Sequence, residues 1–207
     1  NNAALALRDG KPLPPPEVQL YEAEAVGQAI VQASHLMARV HHRAYHDPLT
    51  ELGNRALFYE LVQHQLAIAE REGGQLSILA IDLDNCKVVN DEEGHAAGDR
   101  LLEAVARRVE STIRASDAAA RMGGDEFSIL LVDADQASAM ETAQRLVLEL
   151  AKPYEGIATG VSASIGIAIS DAAYENAEDF LRDADTAMYH AKNRGRGCLE
   201  LFDTDMH

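Results

Sequence analysis

The sequence predicts an α/β fold: a sandwich of helices on a mostly antiparallel central sheet, preceded by one long N-terminal helix. Three observations carry this reading. Short apolar β-rich runs and amphipathic helical patterns follow one another in the order β-α-β-β-α-β. A Gly123-Gly124 pair splits two β runs in the manner of a hairpin. Ahead of the first β run, apolar or small residues recur at spacings of three and four over about three heptads.

The elements follow in chain order. Residues 1–16, "NNAALALRDGKPLPPP", hold a short apolar segment, an Asp9-Gly10 turn signal and a proline-rich break. This stretch reads either as the last hairpin of an upstream domain or as a linker. A helix is predicted over 17–46, with a seam at Ala23, Val26, Ile30, Ala33, Met37, Val40 and Ala44. The seam suits a parallel contact between two copies of the chain; the alternative is a helix packed on its own domain. Pro48 interrupts that helix, and "DPLTELGNR" (47–55) leads into a second helix ending near Arg71. "QLSILAIDLD" (75–84) reads as a buried strand ending in acids. "AAGDRLLEAVARRVESTIR" (96–114) is an amphipathic helix, and "DAAARM" and "EFSILLV" are the hairpin strands. A helix over 136–151, a strand over 160–170, a helix over 177–195 and a short strand over 198–202 complete the order. This order fits a ferredoxin-like, palm-like sandwich.

Bulk properties narrow the function. A formal net charge of −16 on 207 residues argues against binding to nucleic acid polymers or anionic membrane surfaces. Any phosphate ligand would need local cations or a metal to overcome that field. Two cysteines, Cys86 and Cys198, suggest a reducing compartment and no disulfide framework. No apolar stretch approaches the roughly 20 residues that span a bilayer. The start at Asn1 reads as a cut from a longer protein. A cytoplasmic domain is expected, with membrane anchoring left open for the whole protein.

Chemistry concentrates at two places. One is the strand end Asp82-Leu83-Asp84, the other the hairpin acids Asp125-Glu126. In this topology the first strand lies beside the hairpin, so the two groups can converge. Carboxylates from neighbouring strands suit Mg²⁺, which prefers a few carboxylates plus phosphate oxygens to a closed protein cage. The glycines allow backbone angles closed to other residues and leave room for a bulky ligand. The bland reading is a hairpin tip with solvated acids.

"RMGGDEF", together with "DLDNCKVVNDEEGHAAGD", "SASIGIA" and "ADTAMYHAKNRGRG", resembles the GGDEF family of diguanylate cyclases. The resemblance runs from about Asp47 to Phe202. It implies that Asp82 and Asp125 bind Mg²⁺ (Mn²⁺ being the alternative ion), helped by the Leu83 carbonyl. Glu126 would be a further ligand or assist deprotonation of the ribose 3′-hydroxyl. Asn90 and Asp99 would bind guanine, while Lys87, Lys192 and Arg196 would hold the triphosphate. The backbone around Cys86 would approach the phosphates, and Arg194 would add field. These residue types suit those tasks: Asn and Asp read a purine edge, and Lys and Arg pair with phosphates. Alternatively, Lys192, Arg194 and Arg196 are a basic cap on a helix C-terminus. His95, Met188 and Tyr189 read as structural positions. "RASD" (114–117) fits the family's product-inhibition motif, so Arg114 and Asp117 would bind cyclic di-GMP. Two departures stand out: Glu51 replaces the usual glycine of "LTGLxNR", and Cys86 replaces a usual Phe.

The expected function is condensation of two GTP into cyclic di-GMP with release of two pyrophosphates, in a face-to-face homodimer. The alternative is a catalytically weak domain acting as a cyclic di-GMP receptor or GTP-responsive module. The expected boundaries are 1–16 upstream tail, 17–46 signalling helix, 47–203 GGDEF domain, and 204–207 the start of a linker. "LFDTDMH" resembles the junction that often leads into an EAL phosphodiesterase domain, and a sensory domain is expected upstream.

Overall fold

The computed structural model describes residues 20–170 and 174–206. The stretch 1–16 and the expected helix start at Glu17 lie outside the described residues. The chain divides into two compact units, Asn1–His42 and Arg43–His207.

Helix α1 (Leu20–Tyr45) ends where Asp47 and Pro48 stop it. Of the expected seam, Val26, Ile30, Met37 and Val40 are exposed, as are Val31 and Leu36.

In the second unit the order is β1 (Gly53–Asn54), α2 (Arg55–Glu72), β2 (Leu76–Asp84), α3 (Cys86–Glu93), α4 (His95–Thr112), β3 (Ala118–Gly123), β4 (Glu126–Val132), α5 (Gln136–Leu150), β5 (Ser162–Ile169), α6 (Ala177–Arg194) and β6 (Leu199–Leu201), followed by a 3₁₀ turn at Thr204–Met206. The sheet runs β1-β3-β4-β2-β5-β6. Its four central strands, β3-β4-β2-β5, are antiparallel, as a ferredoxin-like sandwich requires. The edges differ: β1 joins β3 and β6 joins β5 in parallel, so the six-stranded sheet is mixed.

Two segments depart from the sequence reading. Gly53–Asn54 pairs as a strand, although two residues are too few to leave a periodic pattern. Cys86–Glu93, assigned no element in the sequence reading, is a helix. It is only eight residues long and stops at Gly94, whose φ of 86° breaks it from α4.

Strand β2 is buried along its whole length, which is why it reads as a mainly apolar run that ends in acids. On one face Leu79, Ile81 and Leu83 join Leu101 and Val105 of α4 and Leu146 and Leu150 of α5. On the other, Ile78 and Ala80 join Phe58 and Val62 of α2 and Phe180 and Ala184 of α6. The alternation in β5 has the same origin. Ala163, Ile165 and Ile167 sit in the first cluster, and Ala168 in the second. Gly166 shares the parity of Ala168; a Cβ there would stand 2.1 Å from both the Ala184 carbonyl oxygen and the Met188 nitrogen. The small residues of this face let the α6 backbone lie directly on the strand.

Candidate active site

The two acidic segments meet at one end of the sheet. Asp82 is the strand partner of Glu126, and the Leu83 N–H donates to the Asp125 carbonyl at 3.2 Å. Gly123 and Gly124 make the turn with φ of 146° and 51°, angles an L side chain rarely adopts. Asp125 is half-buried and Glu126 exposed.

The turn is held from outside. Arg121 donates through Nε and Nη2 to the Gly124 carbonyl, at 3.0 and 2.8 Å. Its Nη1 binds both carboxylate oxygens of Asp47, at 3.0 and 3.2 Å. Asp47 also accepts from the Thr50 N–H and hydroxyl, at 2.9 and 2.8 Å. Burial alone would raise the Asp47 carboxyl, but the Thr50 hydrogen bonds and Arg121 outweigh it and hold it below its ordinary value.

Asp82 is 8% exposed and its Oδ2 lies 2.6 Å from Lys192 Nζ. Burial pushes its carboxyl upward; Asp125 and Asp84 add to that, and Lys192 opposes it. This is a crowded set of negative charges that favours a cation. Asp84, two residues on, faces β5 and the turn after α6. It accepts from Ser162 Oγ at 2.8 Å, from Ser164 Oγ at 3.0 Å and from the Gly197 N–H at 3.0 Å.

Helix α3 and the start of α4 bring the next expected residues together. Lys87 is exposed and Asn90 half-buried on α3. A Cβ at Gly98 would stand 2.1 Å from Asn90 Oδ1, so Asn90 lies over Gly98, next to exposed Asp99. Both ends of α3 are pinned to the loop before β5. Asn85 donates to the Gly160 carbonyl at 3.0 Å, and Glu93 accepts from the Thr159 N–H at 3.0 Å. Cys86 is buried, and burial followed by the Asp125 charge pushes its thiol up, which keeps it protonated.

Other expectations separate. Arg196 is exposed at the same end of the sheet, whereas Arg194 pairs with Glu200. Arg114 and Asp117 lie at the end of β3 opposite the glycine turn. There Asp117 accepts from the Arg114 N–H at 2.9 Å and the Val132 N–H at 3.3 Å, closing a turn, while the Arg114 side chain is exposed. His95 is exposed at the start of α4, Met188 is buried and Tyr189 is exposed on its helix face.

Sequence reasoning missed Asp47, Arg121 and Asp185, and it placed Asp84 in the acidic strand end without a role of its own. Asp185 on α6 is raised to about 6 by the surrounding protein mass and then by Glu126, with Arg55 opposing. Asp47 carried a signal: Asp-x-x-Thr after a helix is a turn-capping spacing. Arg121 carried none, because its carboxylate partner Asp47 lies 74 residues away.

Among the described residues no three His, Cys, Asp or Glu side chains gather into a metal cage. The groups near Asp82 are hard carboxylates, Asp125 half-buried and Glu126 exposed beside it. That set fits Mg²⁺ sharing its coordination with phosphate, and does not fit zinc.

Residues 44–198 match the family model described as "Diguanylate cyclase, GGDEF domain". The chain belongs to the GGDEF-domain family. Among curated relatives, the GGDEF protein is 40% identical over 168 residues to the diguanylate cyclase TpbB of Pseudomonas aeruginosa. It is 39% identical over 166 residues to the bifunctional diguanylate cyclase/cyclic di-GMP phosphodiesterase MucR of the same species. Each match covers 79% of this chain but only 39% of TpbB and 24% of MucR. The solved GGDEF domain of TpbB superposes with a TM-score of 0.75 at 38% identity, covering 78% of this chain and 96% of that one. The coiled coil and GGDEF domain of DgcB from Caulobacter crescentus, solved with c-di-GMP, gives a TM-score of 0.80 at 25% identity, covering 89% and 98%. In this GGDEF domain the Glu51 departure has a physical meaning. Glu51 takes φ 61°, a conformation that suits the glycine usual there.

Proposed function

We propose that the chain is a diguanylate cyclase domain that condenses two GTP into cyclic di-GMP and releases two pyrophosphates. The observation that carries this reading is the pairing of Asp82 with Glu126 across adjacent strands, beside Asp125 and with Lys192 on Asp82. Asp82, Asp125, Glu126 and the Leu83 carbonyl would hold Mg²⁺ or Mn²⁺. A bound divalent ion there would supply charge neutralisation for the pyrophosphate and a lower pKa for the attacking 3′-hydroxyl.

The chain's own residues do the rest. Asn90 and Asp99 orient guanine over Gly98, Asp99 accepting from the N1 and N2 protons. Lys87 and Arg196 hold the triphosphate. Lys192 leaves Asp82 for a phosphate oxygen, exchanging one charge-assisted partner for another. The α3 backbone from Cys86 onward approaches the phosphates, and Glu126 takes the hydroxyl proton or adds a ligand.

One domain offers one such cradle, and each 3′-hydroxyl must reach the α-phosphorus of the other GTP. Two domains therefore face each other. The exposed seam of α1 would raise their effective concentration by pairing two copies.

The exposed Arg114 side chain favours a second, compatible role for the opposite end of β3. There Arg114 would bind guanine O6 and N7 of cyclic di-GMP as an inhibitory site.

The deciding experiment strips bound nucleotide, then incubates the protein with GTP and Mg²⁺ beside an Asp125→Ala variant. Cyclic di-GMP formed by the unmodified protein alone supports the cyclase. Absence of product, with binding of added cyclic di-GMP that Arg114→Ala abolishes, would establish a receptor instead.

A further inference from the structure

Asp84 is the second acid of the D-x-D strand end, and its geometry separates it from metal binding. Its side chain is 2% exposed. Oδ2 accepts from Ser162 Oγ at 2.8 Å, from Ser164 Oγ at 3.2 Å and from the Gly197 N–H at 3.0 Å. Oδ1 accepts from Ser164 Oγ at 3.0 Å and faces Arg196 Nε at 3.8 Å. Three donors therefore hold the carboxylate through both of its oxygens, with Arg196 standing at ion-pair distance from Oδ1.

The turn that Asp84 holds is one the chain would not adopt unaided. Gly195, Arg196 and Gly197 take φ of 134°, 64° and 60° in succession. For Arg196 this left-handed conformation is unfavourable by itself. Its local hydrogen bonds are long: Arg196 N–H to the Ala191 carbonyl at 3.3 Å, and Gly195 N–H to the Lys192 carbonyl at 3.4 Å. From outside the helix, the turn is held by the Gly197 N–H, which donates to Asp84 at 3.0 Å. Two serines of β5 fix the carboxylate in turn, so β2, β5 and the end of α6 are locked through one buried group.

We propose that Asp84 is a positioning residue: it preforms the Gly195–Gly197 turn so that the exposed Arg196 guanidinium is presented to the phosphates of the bound nucleotide. It ligates no metal. Preorganising one long cation removes an ordering cost from binding. The proposal rests on the GTP-binding reading above.

The test separates phosphate from base. Affinities for a non-hydrolysable GTP analogue and for guanosine are measured on the unmodified chain, on Asp84→Asn and on the milder Ser164→Ala. Asp84→Asn is expected to weaken the analogue about tenfold, the order of one charge-assisted hydrogen bond, and to leave guanosine binding within about twofold. Ser164→Ala shifts the same ratio in the same direction by a smaller factor, and serves if Asp84→Asn does not fold. Mn²⁺ binding followed by electron paramagnetic resonance is expected to fall in Asp82→Asn and to persist in Asp84→Asn. Equal loss of analogue and guanosine, no loss of either, or a fall in Mn²⁺ affinity in Asp84→Asn would each overturn the proposal while leaving the cyclase reading intact. Failure of the unmodified chain to bind the analogue would overturn both.

Discussion

Arg121 and Asp47, 74 residues apart in sequence, are joined by two hydrogen bonds of 3.0 and 3.2 Å, and the same guanidinium grips the carbonyl that precedes Asp125. Asp47, just after α1, and the Gly123-Gly124 turn are thereby tied to one side chain. Both partners are largely buried, at 13% and 17% exposure, so removing one leaves the other charged and poorly solvated.

Arg121→Ala is therefore expected to destabilise the domain by about 3 kcal/mol and to lower turnover by loosening Asp125. Denaturant unfolding with parallel turnover measurement checks both. The pair also sets an acid dependence. Because the Asp47 carboxyl is lowered in the fold, its contribution is fully present above the ordinary carboxylate pKa. It is lost as pH falls through that value toward the lowered one. The stability gap between the parent and Asp47→Asn should shrink below about pH 4.

Glu51→Gly is expected to stabilise. The φ of 61° costs a glutamate about 1 kcal/mol, and glycine returns part of that gain through its freer unfolded chain. A net of about 0.5 kcal/mol corresponds to a rise of about 1–2 °C in Tm. A fall in Tm would show that the Glu51 side chain contributes more than its backbone costs.

Gly98→Ala is a probe of guanine recognition. The added Cβ would stand 2.1 Å from Asn90 Oδ1, so Asn90 must swing away. KM for GTP should rise about tenfold, while helix propensity gains about 1 kcal/mol and stability stays near the parent value. Steady-state kinetics and thermal unfolding separate these effects; an unchanged KM would remove Asn90 from the guanine site.

Gly166→Ala should be far more damaging. Its Cβ would meet backbone atoms of α6, at Ala184 and Met188, which cannot rotate aside. A loss of about 3 kcal/mol or more is expected, read as a drop in the denaturation midpoint. It should also loosen Lys192 on the same helix and so weaken GTP binding.

Much of this architecture was legible in advance because it is local. The mainly apolar run of β2, the helical periodicities and the glycine turn each leave a mark within ten or twenty residues. Helix α3 escaped because its eight residues are bounded by Asn85 in a left-handed conformation and by Gly94, which reads as a loop. β1 escaped because two residues carry no period.

By itself, then, the sequence determined the β-α-β-β-α-β order, the two acidic segments that can converge, and the alternation of small and apolar residues in β5. Only the tertiary structure decided which acid meets which partner. Asp82 and Asp84 share one face of β2, yet Asp82 meets Lys192 and Asp84 closes on Ser162, Ser164 and Gly197. That division follows from where α6 ends above the sheet, a distance between elements that no local pattern encodes. The same holds for Arg121, whose partner Asp47 becomes a neighbour only when β1 pairs with β3.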